Sequence, residues 1–508
     1  MIDDLESNMQ SNYIESSSNK FPMTQCMLPG SQQEVNILSM SSSKKNLYLV
    51  TDNAEVLCLE SKTLNPIQQS FSITSSSSSS STRFKENFTK IWTDREGNHN
   101  IIRYKGKIYY FNILMNQAME IESFKNTEIC AVGFNDKNPS EKSTGLFLAA
   151  DYNNNIYECI INLDKKSNDE YRITDKKKLL TKLVFKDWDT EEDEEYSEPK
   201  ARDYERIYGI KFVKTTKAQK DISLNDDIYY IMIVTKTKIY QFKGPGEKTF
   251  LQCFEKFNKN DMLFNDYCKY FPHIPKISKI FTGSDIDFIY RNINGERLEQ
   301  FGWKTESGYC FGTFNFEYLP NEVKSFTVIP FEKINSQAKK ESKLEPLSVA
   351  QTINHIFVLY NDCLTVISKL TSNIIHTEYL ENEFTGVIFN EFAEENGLIL
   401  LYSKNGLYKI SLTDENKDIW KDYLNTGDYS SALSCVKDNA KLSRRINRIS
   451  ADEDFYSKDY LNSVMKYNFS DEKFEIVCLR YLMKNQIDAL KLYCELYLSQ
   501  NVNLEEKK

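Results

Sequence analysis

Apolar positions along this chain follow two rhythms, and the change between them falls near residue 413. Before it, apolar runs of strand length alternate with polar turns. After it, apolar residues recur every three or four positions to the end. The first rhythm returns seven times, each time as an apolar strand, a polar turn and a second apolar strand. It reads NLYLVTDNAEVLCLE at 46–60, IIRYKGKIYYFNI at 101–113, LFLAADYNNNIYECIINL at 146–163 and IYYIMIVTKTKIYQF at 228–242. It returns as FGWKTESGYCFGTFNF at 301–316, HIFVLYNDCLTVISKL at 355–370 and GLILLYSKNGLYKISL at 397–412. Several turns hold Asp-Asn, Asn-Asn or Asn-Gly, residues that tolerate the positive φ of tight hairpins. Seven hairpins over about 380 residues leave roughly 54 residues per unit, the size of a four-stranded blade with surface insertions. The pattern predicts a seven-bladed β-propeller over 31–412, preceded by a polar, disordered segment at 1–30.

The second rhythm predicts helices. Ile419, Trp420, Tyr423 and Leu424 share a face, and Gly427 stands where a helix ends in the left-handed conformation. Asp428 is placed to cap a second helix with Tyr429, Ala432, Leu433 and Val436 inward, and a further helix is expected over 441–450. Ser457 is placed to cap a helix with Tyr460, Leu461, Val464 and Met465 on one face. Ser470 is placed to cap another, with Asp471 and Glu472 in its first turn and a stripe of Phe474, Val477, Cys478, Tyr481 and Leu482. Asn485 opens a last helix with Ile487, Leu490, Cys494 and Tyr497. Short amphipathic helices with brief connectors are the unit of an α-solenoid, expected over 413–508. The terminal EEKK is no polar capping repeat, so the array is expected to continue in a longer protein. The fold class is thus a β + α multidomain chain, propeller first and solenoid second.

Composition narrows the function more than the fold. The chain has 508 residues, 40% hydrophobic and 27% charged, with 31 Tyr and 31 Phe that suit a β-rich body. A net charge of -9 and no basic stripe argue against nucleic acid. Eleven Cys without a Cys-x-x-Cys pair, and no secretory signal, fit reduced thiols in the cytosol. The longest apolar runs, such as Ile228 to Val234, fall far short of the roughly 20 residues of a membrane span. A soluble chain is therefore expected, peripheral wherever it works at a membrane. Three insertions read as solvated loops: the serine run Ser75 to Ser81, the acidic block DWDTEEDEEYSEP at 187–199, and EKINSQAKKESKLEP at 332–346.

Reactive chemistry is sparse. The four histidines, His99, His273, His355 and His376, stand at no metal-ligand spacing, and His355 reads as a packed or edge residue of a strand. Gly244-Pro-Gly-Glu-Lys-Thr249 resembles a phosphate loop only faintly, because Glu247 occupies the lysine position. The acids of 189–195 lack the interleaved Gly and terminal Glu of a calcium loop. No catalytic, cofactor-binding or metal-binding residue is assigned, and no small-molecule substrate. An enzyme using the central channel would need His and carboxylates clustered on inner strands. Direct lipid contact would fall to the basic stretch Lys176 to Lys182 (KKKLLTK), which reads as a solvated loop, and the acidic net charge opposes anionic membranes.

Several segments resemble one family. FGWKTESGYCFGTFNF with its central Trp303, PLSVAQTINHIFVLYNDCLTVISKLTSNIIHTE at 346–378, and LILLYSKNGLYKISLTDENKDIWKDYLNTGDYSSAL at 398–433 are similar to the class C vacuolar protein sorting subunits of the Deep orange type. SDEKFEIVCLRYLMKNQIDALKLYCELYL at 470–498 is similar to a helix pair of the same family, and the match is clear over about 300–500. The resemblance implies a core subunit of the HOPS and CORVET tethers. These hold late endosome and vacuole or lysosome membranes together before SNARE-driven fusion, in concert with Rab GTPases. The implied partners are the other class C subunits, with Rab GTPases and SNAREs reached through the assembly. Full-length members end in a zinc-binding RING-type domain that has no counterpart in these residues. The alternative is a propeller–solenoid subunit of a vesicle coat or nuclear pore.

Overall fold

The computed structural model describes residues 21–26, 35–67, 70–73, 89–135, 140–165, 171–183, 206–215, 228–235, 239–245, 286–292, 296–305, 308–314, 323–338, 345–381, 383–393, 397–404, 406–412, 415 and 419–505. They form two compact units: residues up to 412 without 369–371, and residues from 413 onward together with 369–371.

The first unit is built of antiparallel meanders. One begins with β1 (Met23–Cys26) set aside and runs β2 (Ile37–Ser42), β3 (Asn46–Thr51), β4 (Glu55–Glu60), β5 (Phe71–Ile73). The next is β6 (Lys90–Thr93), β7 (Asn100–Tyr104), β8 (Lys107–Phe111), β9 (Gln117–Glu120), then β10 (Ile129–Gly133), β11 (Phe147–Asp151), β12 (Asn155–Lys165), β13 (Tyr171–Lys182). A three-stranded sheet follows, β14 (Gly209–Thr215), β15 (Ile228–Val234), β16 (Ile239–Pro245). After it come β17 (Ile286–Asn292), β18 (Glu296–Lys304), β19 (Gly308–Phe314), β20 (Val323–Pro330), and β21 (Ser348–Gln351), β22 (His355–Leu359), β23 (Cys363–Ser368), β24 (Ile374–Tyr379). The last is β25 (Phe384–Asn390), β26 (Leu398–Ser403), β27 (Gly406–Ser411). Each hairpin read from the sequence supplies the second and third strands of one sheet.

Sheets stack face to face in a ring. Strand β2, first of its sheet, lies against β6 on one side and β25 on the other, so the last sheet returns to the first. Hydrophobic clusters fill the gaps between successive sheets. Tyr48, Val50 and Cys58 meet Ile102, Tyr109 and Phe111. Ile37, Leu47 and Leu49 meet Leu398, Leu400 and Leu407 across the closure. Covered on both faces, strands such as β3, β7, β22 and β23 are buried at every position. The outermost strand β13 keeps the exposed–inward alternation of a half-wet strand. This cyclic stack is a β-propeller.

Turn chemistry follows the sequence in kind but not always in position. In the β7–β8 turn Lys105 and Gly106 both take positive φ, and in β11–β12 Asn154 does so at φ 63. In β3–β4 it is Ala54, not Asn53, that turns left-handed. The outer strands β5 and β9 pair in parallel through Ser72 with Gln117 and Ile73 with Ala118, joining two sheets at their rims.

The N-terminal segment departs from expectation. Over residues 21–26 the disordered reading is corrected: β1 pairs antiparallel with β27, Met23 facing Ile410 and Cys26 facing Leu407, and completes the last sheet. Phe21 is 1% exposed and meets Phe357 and His355 edge-on at 5.5 and 5.7 Å. A single aromatic anchor and four backbone-paired residues order a stretch whose composition is polar. The loop reading of 332–346 is likewise corrected at its ends. Helix α1 (Phe331–Gln337) buries Phe331 and Ile334, and Glu345 lies 3.5 Å from Lys304.

The second unit is three helical hairpins: α2 (Ile419–Asn425) with α3 (Tyr429–Cys435), α4 (Ala440–Tyr456) with α5 (Tyr460–Tyr467), and α6 (Phe474–Met483) with α7 (Ile487–Glu505). All three corners use one device. The residue at the middle of each connector is left-handed: Gly427, Lys458 and Asn485 at φ 76, 70 and 56. At each corner two N–H groups return to the helix end. Gly427 bonds Leu424 and Asp428 bonds Tyr423; Lys458 bonds Phe455 and Asp459 bonds Asp454; Asn485 bonds Leu482 and Gln486 bonds Tyr481. The residue closing one helix then opens the next, as Asp428 accepts from Ser431 N–H and Asp459 from Asn462 N–H.

This geometry corrects three expected caps. Ser457 belongs to the C-terminus of α4, its hydroxyl donating to the Asp454 carbonyl, and Asp459 caps α5 instead. Ser470 closes the turn after α5 by donating to Tyr467 O, so α6 starts later and Asp471 and Glu472 lie outside it. Asn485 ends α6 rather than opening α7. Three faces also differ: Leu461 and Met465 are 60% and 50% exposed, because Ser463, Val464 and Tyr467 face the core; Leu482 of α6 is exposed while Val477 and Tyr481 are buried; and in α7 Ile487 and Tyr497 are exposed while Ala489 and Tyr493 turn inward. That core joins Phe455, Val464, Tyr467, Val477, Tyr481 and Tyr493.

Candidate interaction surfaces

Connections from the first to the second strand of each sheet leave the ring on one side, and there buried polar groups knit neighbouring sheets together. Asp94 shapes the β6–β7 turn, its carboxylate accepting from the N–H groups of His99 and Glu96. Burial pushes its carboxyl up to about 6, against the pull of those backbone donors. The same turn holds Gly97 at φ 82, where a β-carbon would run into the Ser43 hydroxyl. Its carbonyl accepts from Tyr48 at 2.6 Å. His99 bridges to the next sheet, Nε2 2.8 Å from Ser140 O and Nδ1 2.6 Å from Tyr110 Oη. A carbonyl can only accept, so Nε2 carries the proton and Nδ1 accepts from the phenol. Burial holds this imidazole below its ordinary pKa.

Ion pairs extend the net. Lys44 meets Glu96 at 2.7 Å, and Arg95 meets Glu391 on the β25–β26 connection at 2.9 Å while lying over Phe392. Asn390 donates to Ser61 O, and Asn112 to Glu141 O.

The opposite side has its own braces. Arg103, 2% exposed, donates to Ile129 O and Tyr152 Oη at 3.2 and 2.7 Å. Asn154 fastens two segments, its carbonyl accepting from Leu183 N–H and its side chain from Ile207 N–H. Trp303 donates to Thr235 O, and Lys304 donates to Pro346 O at 2.8 Å. Burial lowers Lys304 to about 8 despite the nearby Glu345. These polar groups hold sheets together.

The residues singled out from the sequence are dispersed. His355 is buried against Phe21, and His376 on β24 stands 3.3 Å from Glu378. Gly244 and Pro245 end β16, and residues 246–249 lie outside the described residues, as do His273, Ser75–Ser81 and 187–199. Lys176–Lys182 is no loop but part of β13, and the strand divides its charge. Lys177 turns inward over Phe124 and Tyr157 and donates to Thr127 at 2.6 Å. Lys176 and Lys178 point outward, Lys178 opposite Glu158 on β12. Among the described residues, no group of three or more His, Cys, Asp or Glu is placed to hold a metal, and no helix is long and apolar enough to cross a membrane.

The helical unit exposes the apolar side chains Leu461, Met465, Phe469, Leu479 and Met483. Sequence reasoning passed over Phe21, Asp94 and Arg103. The run Asp-Arg-Glu-Gly-Asn at 94–98 carried a turn signal, whereas nothing local marks Phe21 or Arg103 as a brace.

Comparison with known proteins adds the remaining observation. The family model described as the Pep3/Vps18/deep orange beta-propeller domain matches residues 20–412. Vacuolar sorting protein 18 of Arabidopsis thaliana is 22% identical over 442 residues, 83% of this chain and 40% of that protein. The vacuolar protein sorting-associated protein 18 homologues of Danio rerio and Drosophila melanogaster are each 23% identical. They cover 54% and 78% of this chain and 27% and 38% of their own lengths. The chain therefore spans less than half the length of these relatives.

Proposed function

This chain belongs to the Pep3/Vps18/deep orange β-propeller family, and from that premise we propose that it is a non-enzymatic scaffold subunit of a HOPS/CORVET-type membrane tether. It acts in vesicle docking and fusion at the late endosome and the vacuole or lysosome, and so in protein transport to the vacuole. The carrying observation is the family match over 20–412, joined to a helical unit whose hairpins repeat one corner geometry. Seven blades, one for each sequence hairpin, make a rigid body with a wide rim. The hairpins of 413–508 begin an α-solenoid.

The mechanism is multivalent binding. Each subunit contributes one modest contact, and linkage within the assembly raises the effective concentration of the rest. Rigidity matters to that arithmetic, and the buried polar braces between sheets supply it. Other class C subunits bind the chain directly. Rab GTPases and SNAREs are reached through the assembly, which sits peripherally on the membrane. The test is affinity capture with the tagged chain followed by mass spectrometry. Recovery of class C subunits is expected; recovery of coat or nuclear pore subunits in their place overturns the proposal.

A further inference from the structure

The longest described strand has an unused edge. Strand β13 (Tyr171–Lys182) pairs with β12 on one side, and among the described residues no strand pairs with its other side. Every second residue along that edge therefore turns a backbone N–H and C=O outward without a ladder partner.

The side chains of β13 are sorted by charge. Arg172, Thr174, Lys176 and Lys178 alternate along one face, and all four are exposed. Asp164 and Glu158 stand opposite Arg172 and Lys178 on β12. Even so, among the described residues Arg172, Lys176 and Lys178 form no ion pair, and Asp164 accepts from the Thr174 hydroxyl at 2.7 Å instead. On the other face Lys177 donates to Thr127 and Asp175 accepts from Ser123 N–H, while Leu179 is 55% exposed. At about 3.3 Å per residue, the neighbouring cations of the row stand about 7 and 13 Å apart.

We propose that this edge is a docking site for an extended acidic segment of a partner protein, which joins the sheet as a strand beside β13. The added backbone closes the open N–H and C=O groups, and alternate carboxylates meet Lys178, Lys176 and Arg172. The intervening side chains fall on the face of Leu179, which favours apolar residues there. The same cations oppose other occupants. A second copy of β13 would set like charges against each other. An anionic bilayer offers no backbone groups to the edge, and Asp164 and Glu158 interrupt the row it would meet. The site lies within one sheet and does not depend on the tether.

The full chain is titrated into a fluorescein-labelled peptide that alternates glutamate with valine, and anisotropy is read. Saturable binding is expected, weakened about tenfold by the double variant Lys176→Glu, Lys178→Glu, whose fold is checked by circular dichroism. A control peptide of equal charge with proline in place of each valine cannot pair as a strand, and it should bind about tenfold more weakly. Equal binding of the two peptides overturns the inference, because charge alone then suffices. Undiminished binding to the double variant overturns it by placing the peptide elsewhere. Binding of neither peptide leaves the cations as guards against edge pairing, and the inference fails. It fails also if phosphatidylserine vesicles bind and the alternating peptide does not. Binding seen only after deletion of the acidic residues 187–199 makes that segment of the chain the occupant and refutes an outside partner.

Discussion

Phe21→Ala tests how β1 is held on the last sheet. Phe21 sits between the β21–β24 sheet and the last sheet, 1% exposed, with Phe357, His355 and His376 around its ring at 5.5 to 5.8 Å. A phenylalanine buries about 150–250 Å². At about 25 cal/mol per Å², full burial is worth roughly 4–6 kcal/mol. Alanine keeps part of that and leaves a cavity that the flanking β-strands cannot fill, so a loss of about 3–5 kcal/mol is expected. The assay is equilibrium urea unfolding, followed by fluorescence and compared at constant m-value with a chain lacking residues 1–26. If the anchor governs the docking of β1, Phe21→Ala costs most of what the deletion costs. A loss below about 1 kcal/mol would refute the reasoning, because β1 would then hold by its backbone pairing alone.

Three further outcomes are expected. Lys458→Gly should stabilise the helical unit by about 0.5–1 kcal/mol, since a left-handed lysine pays a steric cost that glycine does not; a helix-signal thermal melt reads it. His99 is buried and its folded pKa is lowered, so its contribution is whole above about pH 6.5 and is lost as pH falls below that value. His99→Gln should flatten this part of the stability profile between pH 7 and 5, compared against the unaltered chain with Asp94, which titrates with the opposite sign, present in both. Gly302→Ala should cost about 1–3 kcal/mol in urea, because its methyl would overlap the buried Tyr309 hydroxyl and Gln351 amide.

What the sequence carried was local. Each hairpin strand pair announces itself by an apolar run and a turn residue, and those pairs became the middle strands of the sheets. Outer strands were harder: β5 and β9 are short, and β13 is so charged that its stretch of lysines read as loop. Strand β1 was hidden because its order comes from partners nearly the whole propeller away in sequence. Helix existence and corner positions were legible, but caps were not. Serine and aspartate are comparable N-caps, and only the left-handed corner decides which residue is next in line. The misread face of α5 has the same root, since two turns of helix leave the inward direction to its neighbours. No reactive centre was predicted; among the polar groups that matter, Asp94 shapes its own turn, and His99 and Arg103 serve as ties between sheets that no single-strand pattern reveals.

The pairing of β1 with β27 sets a schedule for the newly made chain. Cys26 waits for Leu407, which the ribosome delivers about 380 residues later, or roughly 20–80 s at ordinary elongation speeds. Until then the first and last sheets lack each other, and β2 has no neighbour on its β25 side. A nascent intermediate with one open flank is therefore unavoidable during synthesis. Chaperones that shield bare sheet faces would be needed in that interval and dispensable after it.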